Sequence, residues 1–324
     1  MMRTVEYDRY GSAEELAVRT VPAPEPRAGE VLIRVHGSSI NPIDVKIRSG
    51  GMKIMSGRRF PKRTGLDFAG EVTALGAGVS DLAVGQRVWG FLGDVAGRAG
   101  AAAEYLTAKP SAVSAAPTTV GLVRAAALPS VGVTALRALR DVVRLKPGED
   151  LLVVGASGGV GSAAIQLGQA MGAKVTAVAS PANHAFCRDL GAGHTLDYAA
   201  PDRLSGDFDV ILDCHGTSLD AYRRLLRPRG RMMTTSADAM AFALRSAVLP
   251  GPRVRLMMAR SRRTDLAALA DYVDQGRLRP IVEEIYQLQD IGHAHQAAET
   301  GHARGKKVIT VLVDHDADQP GPVQ

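Results

Sequence analysis

The residues whose types and spacing most clearly point to chemistry lie at 155–161: Gly-Ala-Ser-Gly-Gly-Val-Gly. Four apolar residues, Leu151 to Val154, precede them, the length and type of a buried parallel strand. Ala164, Ile165, Leu167, Gly168 and Met171 follow at helical spacing. Strand, glycine turn and helix together describe the first half of a dinucleotide-binding unit. Phosphate oxygens approach backbone N–H groups at a helix N-terminus, where the helix dipole is positive. Ser157, Gly158, Gly159 and Val160 are therefore the candidate cofactor contacts of this turn. Side chains at Gly158 and Gly159 are expected to block the phosphate, and Gly161 to let the helix pack close to the strand. Ala156 stands where the common G-x-G-x-x-G fingerprint has its first glycine.

A second strand, Lys174 to Ala179, ends in Ser180-Pro181-Ala182-Asn183. NAD-preferring units place an acid there to grip the ribose 2′-OH. No carboxylate is present to repel a 2′-phosphate. Ser180 and Asn183 can donate hydrogen bonds, and Arg188 is close in sequence. Cys214 and His215 end the fourth strand, at the carboxyl edge where such sheets bind ligands, and read as neighbours of the cofactor. They do not read as a nucleophile pair, because adjacent residues at a strand end point apart. At Asn41-Pro42 a strand yields to a short helix, with Pro42 suited to the first turn. Asp44 and Lys46 follow on that helix. Asp67 reads as structural, with an arginine as its expected partner. His293, His295 and His302 read as a surface helix without metal partners.

Around these residues the chain has 324 positions, 46% apolar and 22% charged, ordinary for a globular protein of two domains. No apolar run approaches a membrane span, and the start lacks a signal-peptide core. With two cysteines, neither a disulfide framework nor a cysteine-rich zinc site is available. A soluble cytoplasmic protein is the expectation. The net charge is +6, but aromatic residues are 4% and do not interleave with the basic ones, which argues against a nucleic-acid stacking platform.

Residues 1 to about 110 read as β-rich, a small, partly closed barrel. From Leu151 the chain alternates strand and helix. Strands are expected at Lys174–Ala179, His194–Asp197, Phe208–Asp213, Arg231–Thr235 and Arg253–Met258. Helices are expected over 183–191, 219–227 (closed by Pro228-Arg229-Gly230) and 266–274. A last strand, Lys307 to Leu312, returns to the first domain, and the tail DHDADQPGPVQ reads as frayed.

Six segments, INPIDVKIRSG at 40–50, GLDFAGEV at 65–72, LPSVGVTALRAL at 128–139, GASGGVGSAAIQLG at 155–168, LGAGHTLDY at 190–198 and GKKVITV at 305–311, resemble the medium-chain dehydrogenase/reductase superfamily, in its zinc-free quinone oxidoreductase branch. The resemblance covers nearly the whole chain. It implies an α/β fold: a Rossmann doubly wound parallel sheet over 124–280, and a β-rich GroES-like catalytic domain over 1–123 to which 281–324 returns. Zinc-dependent alcohol dehydrogenases place a cysteine where this chain has Asn41, a histidine where it has Leu66, and a cysteine near Ser130. Leu66 cannot ligate and Asn41 is a poor ligand, so no metal is expected. Without a Lewis acid, reduction of a conjugated acceptor is expected rather than alcohol oxidation.

The resemblance further implies that Asn41 and Thr134 face the nicotinamide as catalytic residues and that Tyr198 contacts the cofactor. Lys46 lies where some quinone reductases carry a tyrosine, and is a candidate proton donor. The expectation is an NADPH-dependent reductase of a quinone or an enone or enoyl compound, a homodimer joined near Arg253–Met258, with no nucleic-acid or membrane partner. A non-catalytic NADPH-sensing or nucleic-acid-binding protein on the same fold is the alternative.

Overall fold

The computed structural model describes residues 1–94, 96–199, 204–246, 248, 251–257, 259–301 and 303–311. The tail expected to fray, and His302, lie outside the described residues.

Strands dominate the first third: β1 (Met2–Tyr7), β2 (Ala17–Val21), β3 (Val31–Ser39), β4 (Lys62–Arg63), β5 (Asp67–Leu75), β6 (Arg87–Phe91), β7 (Tyr105–Ala108) and β8 (Val113–Ala115). Inward positions of β3 alternate with outward ones, and Val31, Ile33 and Val35 are buried. Two short helices, α1 (Pro42–Arg48) and α2 (Lys53–Ser56), follow β3. Helices α3 (Leu122–Ala125) and α4 (Pro129–Arg137) lead to the second layer system.

There β9 (Asp150–Val154), β10 (Lys174–Ala179), β11 (His194–Asp197), β12 (Phe208–Asp213), β13 (Leu226–Thr234) and β14 (Val254–Leu256) form one sheet in the order β11-β10-β9-β12-β13-β14, every pair parallel. This is the doubly wound order, in which the winding of the chain reverses beside β9 while all strands stay parallel, creating a crevice at the carboxyl ends. The crossover helices are α5 (Gly159–Ala170), α6 (His184–Asp189), α7 (Leu219–Arg223) and α8 (Met240–Ser246), with α9 (Arg263–Asp274) after β14. Leu151 and Val153 of β9 pack in one core with Ala164 and Ile165 of α5, Leu136 of α4 and Leu269 of α9.

The chain then returns. β15 (Val282–Gln287), α10 (Ile291–Glu299) and β16 (Lys306–Thr310) complete a mixed sheet ordered β15-β16-β3-β5-β6-β8, with β7 paired to β3; β1, β2 and β4 form a smaller sheet. The molecule thus joins a GroES-like catalytic domain to a Rossmann domain.

Two expectations need correction. The helix expected over 219–227 stops at Arg223, and β13 already begins at Leu226, so Pro228-Arg229-Gly230 lies inside the strand. Phe208 pairs with Leu226 and Val210 with Arg231, so the extra residues bulge out of register. Arg229 takes a left-handed φ of 70° there. α10 is not a surface helix throughout, because His295 is fully buried beside Thr64, with its Nε2 3.3 Å from the hydroxyl. Burial pushes the imidazole down to about 3.

Candidate functional site

The turn after β9 begins at Gly155, whose φ of +72° favours glycine. Gly158 caps α5, and the Ser162 N–H donates to the Gly158 carbonyl at 2.8 Å. The N–H groups of Gly159, Val160 and Gly161 have no backbone acceptor among the described residues. This is the donor set an anionic pyrophosphate needs. A Cβ on Gly161 would lie 2.3 Å from the Gly155 carbonyl oxygen, so the expected tight helix–strand packing is present. A Cβ on Gly158 would meet nothing closer than 3.5 Å. A Cβ on Gly159 would lie 2.9 Å from Lys306 Cδ and 3.0 Å from Val131 Cγ1. The expected roles therefore separate: Gly158 borders open space, whereas Gly159 is a glycine because the returning chain packs on it. That contact is continuous with a bridge between Gly158 and Gly305 and a 2.9 Å bond from the Gly305 N–H to the Ser157 carbonyl.

The carboxyl ends of β10 and β11 meet in register, Ala179 opposite Asp197. Ser180 and Tyr198, the next residue on each strand, therefore emerge side by side, Tyr198 about half exposed. The Ser180 hydroxyl has no partner among the described residues. Arg188 donates to the Thr195 hydroxyl at 2.9 Å. The cation at this edge comes instead from the other domain. Arg304, just before β16, donates through Nε to Asn183 Oδ1 at 2.5 Å and through its guanidinium to the Ala182 carbonyl at 2.8 Å. Sequence reading missed it because 121 residues separate Arg304 from Asn183. The available signal was the basic run Arg304-Gly305-Lys306-Lys307 entering the last strand.

Asn41 opens α1 as its N-cap and is buried. Its Oδ1 accepts from Lys306 Nζ at 2.6 Å and lies 3.1 Å from Ser130 Oγ, and its Nδ2 donates to Asp67 Oδ2 at 2.8 Å. Asp67 also accepts from Ser39 Oγ at 2.8 Å and from Ser130 through both backbone N–H (2.7 Å) and hydroxyl (2.8 Å). Its charged neighbour is Lys306, 3.7 Å away, and not the expected arginine. Lys306 Nζ completes the cluster by donating to the Ile40 carbonyl at 2.5 Å. Burial lowers the ammonium's pKa, opposed by the carboxylates of Asp67 and Asp44. Asp44 is buried as well, and its carboxylate accepts the Asn41 N–H at 2.8 Å. Burial pushes it up to about 7 against that hydrogen bond and the pull of Lys306.

Thr134 lies one helical turn on from this cluster, its hydroxyl donating to the Ser130 carbonyl at 2.7 Å. Lys46 is not in the cluster. Its ammonium donates to Asp238 at 2.6 Å, bridging α1 to the loop after β13. Cys214 and His215 stand at the end of β12 as expected. Burial and the Asp213 carboxylate push the Cys214 thiol up, so it stays neutral. The residue that shapes this strand end is Asp213: fully buried, it accepts from the His215 and Gly216 N–H groups at 3.1 Å each and from the Thr234 hydroxyl at 2.6 Å.

The geometry agrees with what known proteins show. Residues 27–118 match the family described as alcohol dehydrogenase GroES-like domain, and residues 190–309 match zinc-binding dehydrogenase. The chain is 30% identical to the chloroplast envelope quinone oxidoreductase homolog of Arabidopsis thaliana, over 95% of this chain and 98% of that one. It is 31% identical to the mitochondrial NAD(P)H oxidoreductase RTN4IP1 of Danio rerio, over 88% and 84%. The solved quinone oxidoreductase from Coxiella burnetii superposes with a TM-score of 0.89 at 31% identity, covering 96% of this chain and 99% of that one. A doubly wound sheet with an anion-receptive turn, a GroES-like partner domain and these relatives place the chain in the medium-chain dehydrogenase/reductase superfamily, as an oxidoreductase of its quinone oxidoreductase branch that uses a nicotinamide cofactor.

Proposed function

We propose that the protein is a zinc-independent, NADPH-dependent reductase that adds hydride to a quinone or an α,β-unsaturated carbonyl compound. The carrying observation is the β10–β11 edge: Ser180, Asn183 and Tyr198 with Arg304, and no carboxylate in the 180–183 turn. These donors and this cation fit a 2′-phosphate, as the open N–H groups of α5 fit a pyrophosphate. Bound NADPH would supply the hydride. Zinc independence rests on donor chemistry. Leu66 offers no lone pair for a metal, and Asn41 Oδ1 already faces the Lys306 ammonium, which a metal cation would have to displace.

In this proposal the second N–H of Asn41 Nδ2 remains for the substrate oxygen, because the first is held by Asp67. Hydride adds to carbon, negative charge moves to that oxygen, and the Asn41 donor, polarised by Lys306, stabilises it. Lys46 is engaged by Asp238 at the cleft, so we assign the final proton to water. Thr134, fixed by the Ser130 carbonyl, positions the nicotinamide side of the cleft.

The test is kcat/KM with NADPH and with NADH on a short-chain benzoquinone and an enone, for wild type, Ser180→Asp and Arg304→Ala. Losing a charge-assisted hydrogen bond costs about 1.5–3 kcal/mol, and about 1.4 kcal/mol is tenfold. Each variant should cut the NADPH/NADH ratio at least about tenfold. A wild type that prefers NADH, or a ratio that stays put in both variants, rejects the NADPH assignment.

A further inference from the structure

The stretch from Val45 to Leu66 holds seven Lys and Arg residues and no acid. Four of the seven are engaged. Lys46 meets Asp238, Arg48 meets Glu299, Arg63 meets Glu6, and Lys62 donates to the Ser56 and Ala96 carbonyls at 2.6 and 2.7 Å. Lys53, Arg58 and Arg59 are exposed and have no side-chain partner among the described residues. Between them Ile54 is 94% exposed and Met55 58%.

This projection has a built base. Ser56 is buried, with its hydroxyl 2.7 Å from Tyr10 Oη and 3.0 Å from the Met52 carbonyl. Tyr10 also donates to the Gly57 carbonyl, and its ring meets Phe60 edge-on at 5.0 Å. Lys62 closes the base from below. The fold thus spends a buried lysine and two aromatic rings on holding two aliphatic tips out in water. The same segment starts on α1, whose Lys46 reaches Asp238 of the Rossmann domain.

We propose that residues 52–59 form a docking foot for an anionic lipid surface. Aliphatic tips flanked by cations, with no acid nearby, match the headgroup–acyl boundary of such a surface. A second copy of the chain would set the three unpaired cations against their own equivalents. Nucleic acid would find no aromatic side chain within 52–59 on which to stack a base. Docking is reversible and needs no membrane-spanning element, and no helix among the described residues is long and apolar enough to cross a membrane. It amends the expectation of no membrane partner. Its benefit, entry of a lipophilic acceptor to the cleft from the bilayer side, rests on the proposed function; the binding itself does not.

The experiment is flotation of the full chain with vesicles of phosphatidylcholine alone and of phosphatidylcholine mixed with phosphatidylglycerol. Binding to the mixed vesicles should exceed binding to the neutral ones at least tenfold and vanish at about 1 M salt, where screening reaches about 3 Å. Ile54→Asp with Met55→Asp, and separately Arg58→Glu with Arg59→Glu, should each lower binding at least tenfold. Both pairs should keep the melting temperature and the turnover of a water-soluble quinone. Equal binding to both vesicles, or full binding by either pair, overturns the proposal. So does a raised KM for the soluble quinone in the Ile54–Met55 pair, which would make the tips part of the substrate site. A self-association lost in that pair would assign the face to a second copy instead. Salt-sensitive vesicle binding without turnover of either the quinone or the enone would reject the proposed function and leave the foot standing.

Discussion

Asp44 shows how far one side chain's surroundings depart from its sequence appearance. It follows Asn41-Pro42 on a short helix, where it is buried and fixes the turn by accepting the Asn41 N–H. Its folded pKa, about 7, lies above the roughly 3.9 of an unfolded aspartate. Between those values the folded chain binds the extra proton, so this group's contribution to stability falls as pH rises through that window and levels off above it. Asp44→Asn keeps an acceptor for the Asn41 N–H and removes the ionisation. The melting temperature of the variant minus that of wild type should therefore climb between about pH 4 and about pH 7 and level off above that. About 1 kcal/mol moves Tm by about 2–4 °C in domains of about 150–250 residues, which scanning calorimetry resolves. A difference flat with pH would mean that Asp44 is ionised throughout. Asn41 and Thr134 carry the same lesson: their types and positions were legible, but their partners were not. Lys306, which binds Asn41, arrives from 265 residues away.

At the scale of elements, most of the parallel sheet could be read from the chain. Runs such as Leu151–Val154 are apolar throughout because both faces of β9 are covered, and glycine turns mark their ends. The boundary that failed, α7 to β13, failed because Pro228 and Gly230 ordinarily punctuate, and here they sit in a bulge whose register only the β12 partner sets. The glycine turn was legible as an anion site, but its two central glycines were not separable, because the chain that packs on one of them is far off in sequence. The pair can be told apart by experiment. Gly158→Val adds its side chain on the open side, where the phosphates approach. It should cost at least tenfold in NADPH affinity by calorimetric titration while Tm changes little. Gly159→Val must displace Lys306 and Val131 at the seam between the domains. It should lower Tm by several degrees, because overpacking costs about 1–3 kcal/mol. Equal melting losses in both variants would show that the two glycines share one role.

For the whole molecule, the remaining feature is the end of the Rossmann sheet. β14 pairs on one side with β13 and has no strand on the other among the described residues. An open edge offers unpaired N–H and C=O groups to another chain. α8 packs against it and leaves Leu244 70% exposed, with Met240 one turn before on the same side and Val248, beyond the helix end, 84% exposed. An open edge beside an apolar stripe favours a two-fold dimer, β14 against its copy, with the stripes covered at the rim. The docking foot carries its exposed residues on a separate segment, so the two faces can be tested by separate variants. In sedimentation velocity at micromolar protein the wild type should run as a dimer. Leu244→Asp removes an apolar contact worth about 1.5–3 kcal/mol, and two-fold symmetry removes it twice per dimer. It should weaken association at least tenfold and leave each subunit folded by circular dichroism. A wild type that sediments as a monomer would show that the edge is not a pairing site. A Leu244→Asp variant that stays fully dimeric would place the interface on another face.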